Sequence, residues 1–243
     1  MSWVMRVLLV ALAALAAAAA RADEAAIRRA LAPRLVDAKI VSVQKLPQVQ
    51  LFEVAIRGAD GAYDVVYTDA SGQFIFIGNL IEGATDRNLT AERLRKLSVV
   101  DWNALPLQWA ITMKRGTGRR QIAILSDPNC PYCKRFEADL VTVDDITVHI
   151  LPFAVIRPES VRQAKSVWCS KDRVKAWNDL MQKRIEPAAA PDCDNPIDAL
   201  IHFGRGLGAS ATPTWFLPTG ERYSGAMPMN QLVPLLDAAV RPK

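Results

Sequence analysis

Apolar and polar positions change their period along the chain. Ala26, Ile27, Ala30 and Leu31 recur at helical spacing, which predicts one short helix after residue 23. After Pro33 the pattern shortens to runs rich in β-branched and aromatic residues: Lys39–Val43, Leu51–Arg57, Tyr63–Thr68 and Phe74–Ile77. Asp60-Gly61 and Ser71-Gly72 lie between the last three runs, where hairpin turns need residues that accept positive φ. Phe52, Val54 and Ile56 alternate, so one face of that strand is expected to be buried and the other free. A polar joint over Glu82–Asn88 leads into an amphipathic segment from Thr90 to Leu97, with Thr90 as the expected N-cap and Leu94 and Leu97 on one face.

From about Trp102 the order reads strand, strand, helix, strand, helices, strand, strand, helix. Trp109–Lys114 and Gln121–Ser126 lie on either side of Gly116-Thr117-Gly118, and Gln121–Leu125 is apolar enough for a strand covered on both faces. A helix over Cys130–Leu140, a strand over Ile146–Leu151, a helical block over Glu159–Lys183 and a helix over Pro196–Phe203 follow. Strands at Thr214–Leu217 and Arg222–Ser224 precede a last helix from near Asn230, whose Pro234 is expected in or next to the first turn. The class is α/β, helices packed around a central sheet, preceded by a small antiparallel α+β unit.

The N-terminal residues bear on compartment. Arg6 precedes an apolar run from Val7 to Ala20, and Ala20-Arg21-Ala22 has the small-x-small form of a cleavage site, so residues 1–22 read as a signal peptide and Asp23 as the mature N-terminus. The run falls short of the roughly 20 residues that span a bilayer. Loss of Arg6 and Arg21 lowers the formal net charge from +5 to +3. The remaining basic residues are scattered among acids, which argues against a nucleic-acid footprint, and no later stretch reads as a membrane insertion. A chain of this length buries a core without staples, so four cysteines in an exported protein point to chemistry.

The informative motif is Ser126-Asp127-Pro128-Asn129-Cys130-Pro131-Tyr132-Cys133, between a buried strand and a helix. With Asn129 as N-cap, Cys130 falls in the first turn, where unpaired N–H groups and the helix dipole favour a negative charge. The thiolate is the nucleophile, so Cys130 reads as the exposed attacking sulfur. Cys133, Phe136 and Leu140 share the face that packs on the sheet, which makes Cys133 the sheltered resolving sulfur. Asp127 reads equally as a proton relay and as a structural residue. Haem attachment needs His where Lys134 stands; zinc needs further ligands, and His149 and His202 lie in apolar segments without metal spacing. A purely structural Cys130–Cys133 bridge closes too small a loop to stabilise much. That leaves Cys169, in an amphipathic helix, and Cys193, in the loop after Pro187–Pro191, as a structural pair worth roughly 3.5 kcal/mol on the chain-entropy model. Pro213, after Thr212, reads from the residues alone as a strand-start proline.

Taken together these residues resemble the periplasmic protein disulfide isomerase family, the DsbC and DsbG type of thiol:disulfide interchange protein, over essentially the whole mature chain. The resemblance implies a cystatin-like dimerisation domain over residues 23–83, a linker helix over 84–101 and a thioredoxin-fold catalytic domain with a helical insertion over 102–243. It implies that Cys130 and Cys133 are catalytic, that Ala211-Thr212-Pro213 is the cis-proline loop, and that Thr212 and Pro213, with Pro131 and Tyr132, meet substrate. Trp168-Cys169-Ser170-Lys171-Asp172 with Cys193 is similar to the structural disulfide of the DsbC branch, whereas Pro131-Tyr132 and Ile156-Arg157-Pro158-Glu159-Ser160 look like DsbG. No cofactor and no metal is implied.

The expected activity is therefore isomerisation or reduction of wrong disulfides in secreted proteins, by a periplasmic homodimer kept reduced by a membrane electron donor of the DsbD type. The competing readings are a DsbG-like holdase chaperone or sulfenic-acid reductase, and an oxidase that donates its disulfide.

Overall fold

The computed structural model describes residues 23–46 and 48–240, so the expected signal peptide lies outside the described residues. Two compact units are present, one ending at Leu94 and one beginning at Arg95.

In the first unit a helix over residues 23–31 (α1) precedes four strands, β1 (Ala38–Leu46), β2 (Leu51–Gly58), β3 (Tyr63–Thr68) and β4 (Ile75–Ile77). They form an antiparallel meander in the order β1-β2-β3-β4. Ile27 and Leu31 of α1 meet Phe52, Val54 and Val66 in its core. The alternation in β2 correctly marks that face, but the opposite face is not free. Glu53 and Ala55 are buried too, because Arg93 of α2 (Leu89–Leu97) lies over them and donates to Glu53 at 2.7 Å and to the Ser42 hydroxyl at 2.9 Å. The cap of α2 also differs from expectation. Asn88, at the end of the short ribbon β5 (Ile81–Glu82) and β6 (Arg87–Asn88), accepts the Ala91 N–H at 2.8 Å. Thr90 is instead buried, bonded to the Tyr67 hydroxyl and the Leu80 N–H.

The second unit is built on a five-stranded sheet of order β11-β10-β8-β9-β7. Its strands are β7 (Ile111–Lys114), β8 (Arg120–Ser126), β9 (Ile146–Pro152), β10 (Thr214–Phe216) and β11 (Arg222–Ser224). Only β8 and β9 pair in parallel, through the right-sized crossover of α3 (Pro131–Leu140). Central β8 is buried on both faces as its run of apolar residues requires. Ile122 and Ile124 face one core with Phe136, Leu140, Trp177 and Trp215; Ala123 and Leu125 face another with Phe153, Ala164, Leu200 and Phe216. Between β9 and β10 lie α4 (Pro158–Cys169), α5 (Arg173–Asn178) with a π-helical turn Asp179–Lys183, and α6 (Ile197–Gly206). Gly204 fits its place in α6 because a Cβ there would meet the Phe153 ring at 2.5 Å. The last helix, α7, starts at Met229, so Pro234 lies inside it, beyond the first turn, where its ring removes a backbone donor. Among the described residues no helix is long and apolar enough to cross a membrane.

Candidate active site

The strand-to-helix turn after β8 carries both free cysteines, and its geometry departs from the sequence reading in two respects. The N-cap of α3 is Cys130 itself, with extended φ and ψ, because Pro131 takes the first helical position, where a missing N–H costs nothing. The Cys130 sulfur accordingly acts as the capping group and accepts the Cys133 N–H at 3.3 Å. Asn129 turns away and donates to the Ser160 hydroxyl at 2.9 Å and to Gln163 at 2.7 Å. Nor is Cys130 exposed. Its residue is 3 % accessible, because the loop before β10 covers it and the thiol donates to the Thr212 carbonyl at 3.3 Å. Neighbouring Tyr132 is 67 % exposed.

The structure thus brings Cys130, Cys133, Pro131, Tyr132 and Thr212 to one place, with Pro213 next in the chain. The Thr212–Pro213 peptide is cis. The loop is held by the Thr214 hydroxyl on the Ala211 carbonyl at 2.7 Å and by the Gly225 N–H on the Pro213 carbonyl at 2.8 Å. Pairing of Thr214 with Leu125 registers it against the end of β8.

Asp127 resolves as an organiser. Fully buried, its carboxylate accepts from the N–H groups of Asn129, Val155 and Ile156 at 2.7–2.9 Å and from the Ser160 hydroxyl at 2.8 Å. Those four bonds tie the cysteine turn to the segment entering α4. They leave little acceptor capacity for a mobile proton.

A different acid sits behind Cys133. Glu137, one helical turn on and buried, accepts the Ser126 hydroxyl on one oxygen and the Trp177 indole N–H on the other at 2.7 Å. Burial pushes its carboxyl up to about 7, against those two bonds, which favour the carboxylate. Burial also pushes the Cys133 thiol well above its ordinary range, opposed by the Asp127 N–H, and the Ser126 hydroxyl oxygen lies beside the sulfur. Ser126 thus touches both Cys133 and Glu137. The sequence reading missed Glu137, although its place one turn after Cys133, on the helix face that packs against the sheet, was a signal.

Cys169 and Cys193 form a disulfide that joins the end of α4 to the loop before α6, with Cα atoms 5.8 Å apart. His149 lies on β9 with Nδ1 3.0 Å from the Thr112 hydroxyl. Among the described residues no group of three or more His, Cys, Asp or Glu side chains could hold a metal.

A family model described as a thioredoxin-like domain matches residues 107–240, and one described as the disulfide bond isomerase protein N-terminal domain matches residues 18–91. The probable thiol:disulfide interchange protein DsbC of Bordetella pertussis is 36% identical over 207 residues, which make up 85% of this chain and 72% of that protein. The chain belongs to the DsbC family of thiol:disulfide interchange proteins. DsbC of Escherichia coli is 28% identical over 226 residues, 89% of each chain. A solved disulfide interchange protein from Neisseria gonorrhoeae superposes with a TM-score of 0.54 at 36% identity, covering 57% of this chain and all of that one. Membership in the DsbC family agrees with the thioredoxin-like sheet and the turn that places Cys130 just beyond the C-terminal end of its central strand.

Proposed function

We propose that this protein reshuffles or reduces wrong disulfides in secreted proteins, working in the periplasm through Cys130 and Cys133. The carrying observation is the division of labour between the two sulfurs. Cys130 caps the helix and keeps 3 % accessibility between the Thr212 carbonyl and the Cys133 N–H, while Cys133 lies inside the helix with none.

In this reading the Cys130 thiolate attacks one sulfur of a client disulfide, forms a mixed disulfide and releases the other client sulfur as thiolate. A client thiolate then attacks the mixed disulfide and regenerates Cys130, which is isomerisation. Alternatively Cys133 attacks Cys130, forms the Cys130–Cys133 disulfide and releases a reduced client. A free thiolate is costly at the buried Cys133, so its proton leaves as the S–S bond forms. Ser126 and Glu137 supply the route: the Cys133 proton passes to the Ser126 oxygen while the Ser126 proton passes to the Glu137 carboxylate. The oxidised pair then needs two electrons from a dithiol, for which a membrane donor of the DsbD type is the natural source. Thr212 and Pro213, with Pro131 and Tyr132, are assigned to the client chain, and exposed Tyr132 and Ile156 offer it apolar contact.

The remaining assignments follow the same reading: residues 1–22 as signal peptide, 23–83 as dimerisation domain, 84–101 as linker helix and 102–243 as catalytic domain. Support for a homodimer comes from edge strand β4 and its approach, where Phe74, Phe76 and Ile77 are 65, 53 and 82 % exposed.

The deciding experiment uses a scrambled multi-disulfide client. Reduced wild type should restore its activity without added oxidant, and Cys130→Ala should not. Cys133→Ala should keep measurable shuffling and accumulate mixed disulfides. A holdase would protect a cysteine-free client equally well in all three forms and unscramble nothing. An oxidase would oxidise a reduced client quickly and leave the scrambled one wrong.

A further inference from the structure

Beside the cysteine turn the second unit has an open pocket of about 390 Å³, and its wall includes Asn129 and Pro131, the residues on either side of Cys130. The charged lining is lopsided, with Lys134, Arg157 and Arg184 facing the single carboxylate of Glu186. That carboxylate is already engaged, one oxygen by Arg162 at 2.9 Å and the other by the Gln163 amide at 2.6 Å. Lys134 donates to the Leu180 carbonyl at 3.2 Å, and burial together with the like charge of Arg184 lowers its proton affinity. Among the described residues neither Arg157 nor Arg184 forms an ion pair. Three cations thus line one concave surface with a single carboxylate, which leaves an excess of positive charge there. Such an arrangement concentrates negative charge, and guanidinium groups match carboxylates in shape as well as sign.

We propose that this pocket is a subsite for the carboxylate of an Asp or Glu lying within a few residues of the disulfide-bonded cysteine of a client chain. The proposal rests on the exchange reading above and adds a preference among clients. A client joined to Cys130 has its neighbouring residues alongside Asn129 and Pro131, and each extended residue advances by about 3.5 Å, so a carboxylate one or two positions away falls within the pocket's reach. The selectivity acts on approach and docking, and the sulfur chemistry is unchanged.

The test is a matched pair of short peptides, each linked through its cysteine to a chromophoric thiol, one with Glu and the other with Gln next to the cysteine. Release of the chromophore by reduced wild type should be about five-fold faster for the Glu peptide at low salt, and the ratio should shrink in about 0.5 M salt. Arg157→Gln with Arg184→Gln should bring the ratio close to one while leaving the Gln-peptide rate unchanged. Charge reversal, Arg157→Glu with Arg184→Glu, should turn the preference toward a Lys-flanked peptide, which a merely damaged protein would not do. Equal rates for both peptides in wild type, with brisk exchange, would overturn the subsite alone. Absence of exchange with the Gln peptide would overturn the exchange reading and the subsite with it.

Discussion

The Ser126 hydroxyl donates to the Glu137 carboxylate in a fully buried contact, directly behind the sulfur of Cys133. Replacing Glu137 with Gln preserves shape and removes the proton acceptor. Closure of the Cys130–Cys133 disulfide from a mixed disulfide should slow by about 10²-fold, the usual loss for a positioned general base. The first attack by Cys130 should be unaffected. Rapid quenching of a single turnover separates the two steps. In wild type the closure step should rise with pH through about 7, and in Glu137→Gln that rise should vanish. An unchanged pH profile in the variant would remove Glu137 from the reaction.

The same carboxyl makes stability depend on pH. Its affinity for a proton is raised in the fold from the ordinary 4.5 to about 7. Below pH 4.5 folded and unfolded chains both hold the proton, and Glu137 costs nothing. Between 4.5 and 7 the unfolded chain releases it while the fold retains it, so stability falls as pH rises and the full loss persists above 7. At 1.36 kcal/mol per unit this is about 3 kcal/mol. Urea unfolding of the reduced protein at about pH 5 and about pH 8 should show Glu137→Gln gaining on wild type by most of that amount at the higher pH. A constant difference between the two proteins would contradict the buried acid.

The Cys169–Cys193 bridge closes a loop of sequence separation 24 between α4 and α6. Its removal by Cys169→Ala with Cys193→Ala should lower stability by roughly 3.5 kcal/mol on the chain-entropy model and leave single-turnover exchange near wild type. The bridge should also survive mild reductant that opens Cys130–Cys133. Alkylation followed by peptide mapping checks this, and labelled Cys169 beside an intact Cys130–Cys133 pair would refute it.

For the proposed dimer, Ile77→Glu places a charge on edge strand β4 among Phe74 and Phe76. Sedimentation should give a dimer for the mature wild type and a monomer for the variant. Unscrambling should fall while reduction of a small model disulfide persists. A variant that remains dimeric would locate any interface elsewhere.

Much of this molecule was legible in its sequence for identifiable reasons. Strand β8 was legible because a run of residues without polar atoms has no stable place except between two covered faces. The hairpins were legible because Gly61 and Gly72 sit at φ values that favour glycine. Where the reading missed, a distant partner decided. The second face of β2 is covered only because Arg93 reaches back to Glu53, forty positions earlier, and Thr90 is drawn from its capping role by Tyr67 and Leu80.

By itself the sequence determined the Cys169–Cys193 pair, the turn and helix that carry Cys130 and Cys133, and the order of the main strands and helices, since these depend on local spacing and on which residues tolerate burial. Tertiary structure alone decided the environment of each reactive group. Cys130 is covered because the carbonyl of Thr212, eighty-two positions away, folds over it. Asp127 is committed to structure because Val155, Ile156 and Ser160 bring their donors to it. Glu137 becomes a poised acid because burial among distant segments raises its proton affinity, against the bonds it accepts from Ser126 and Trp177. Proton affinity and accessibility are set by the atoms within a few ångströms, and those atoms come from segments that only the fold brings together.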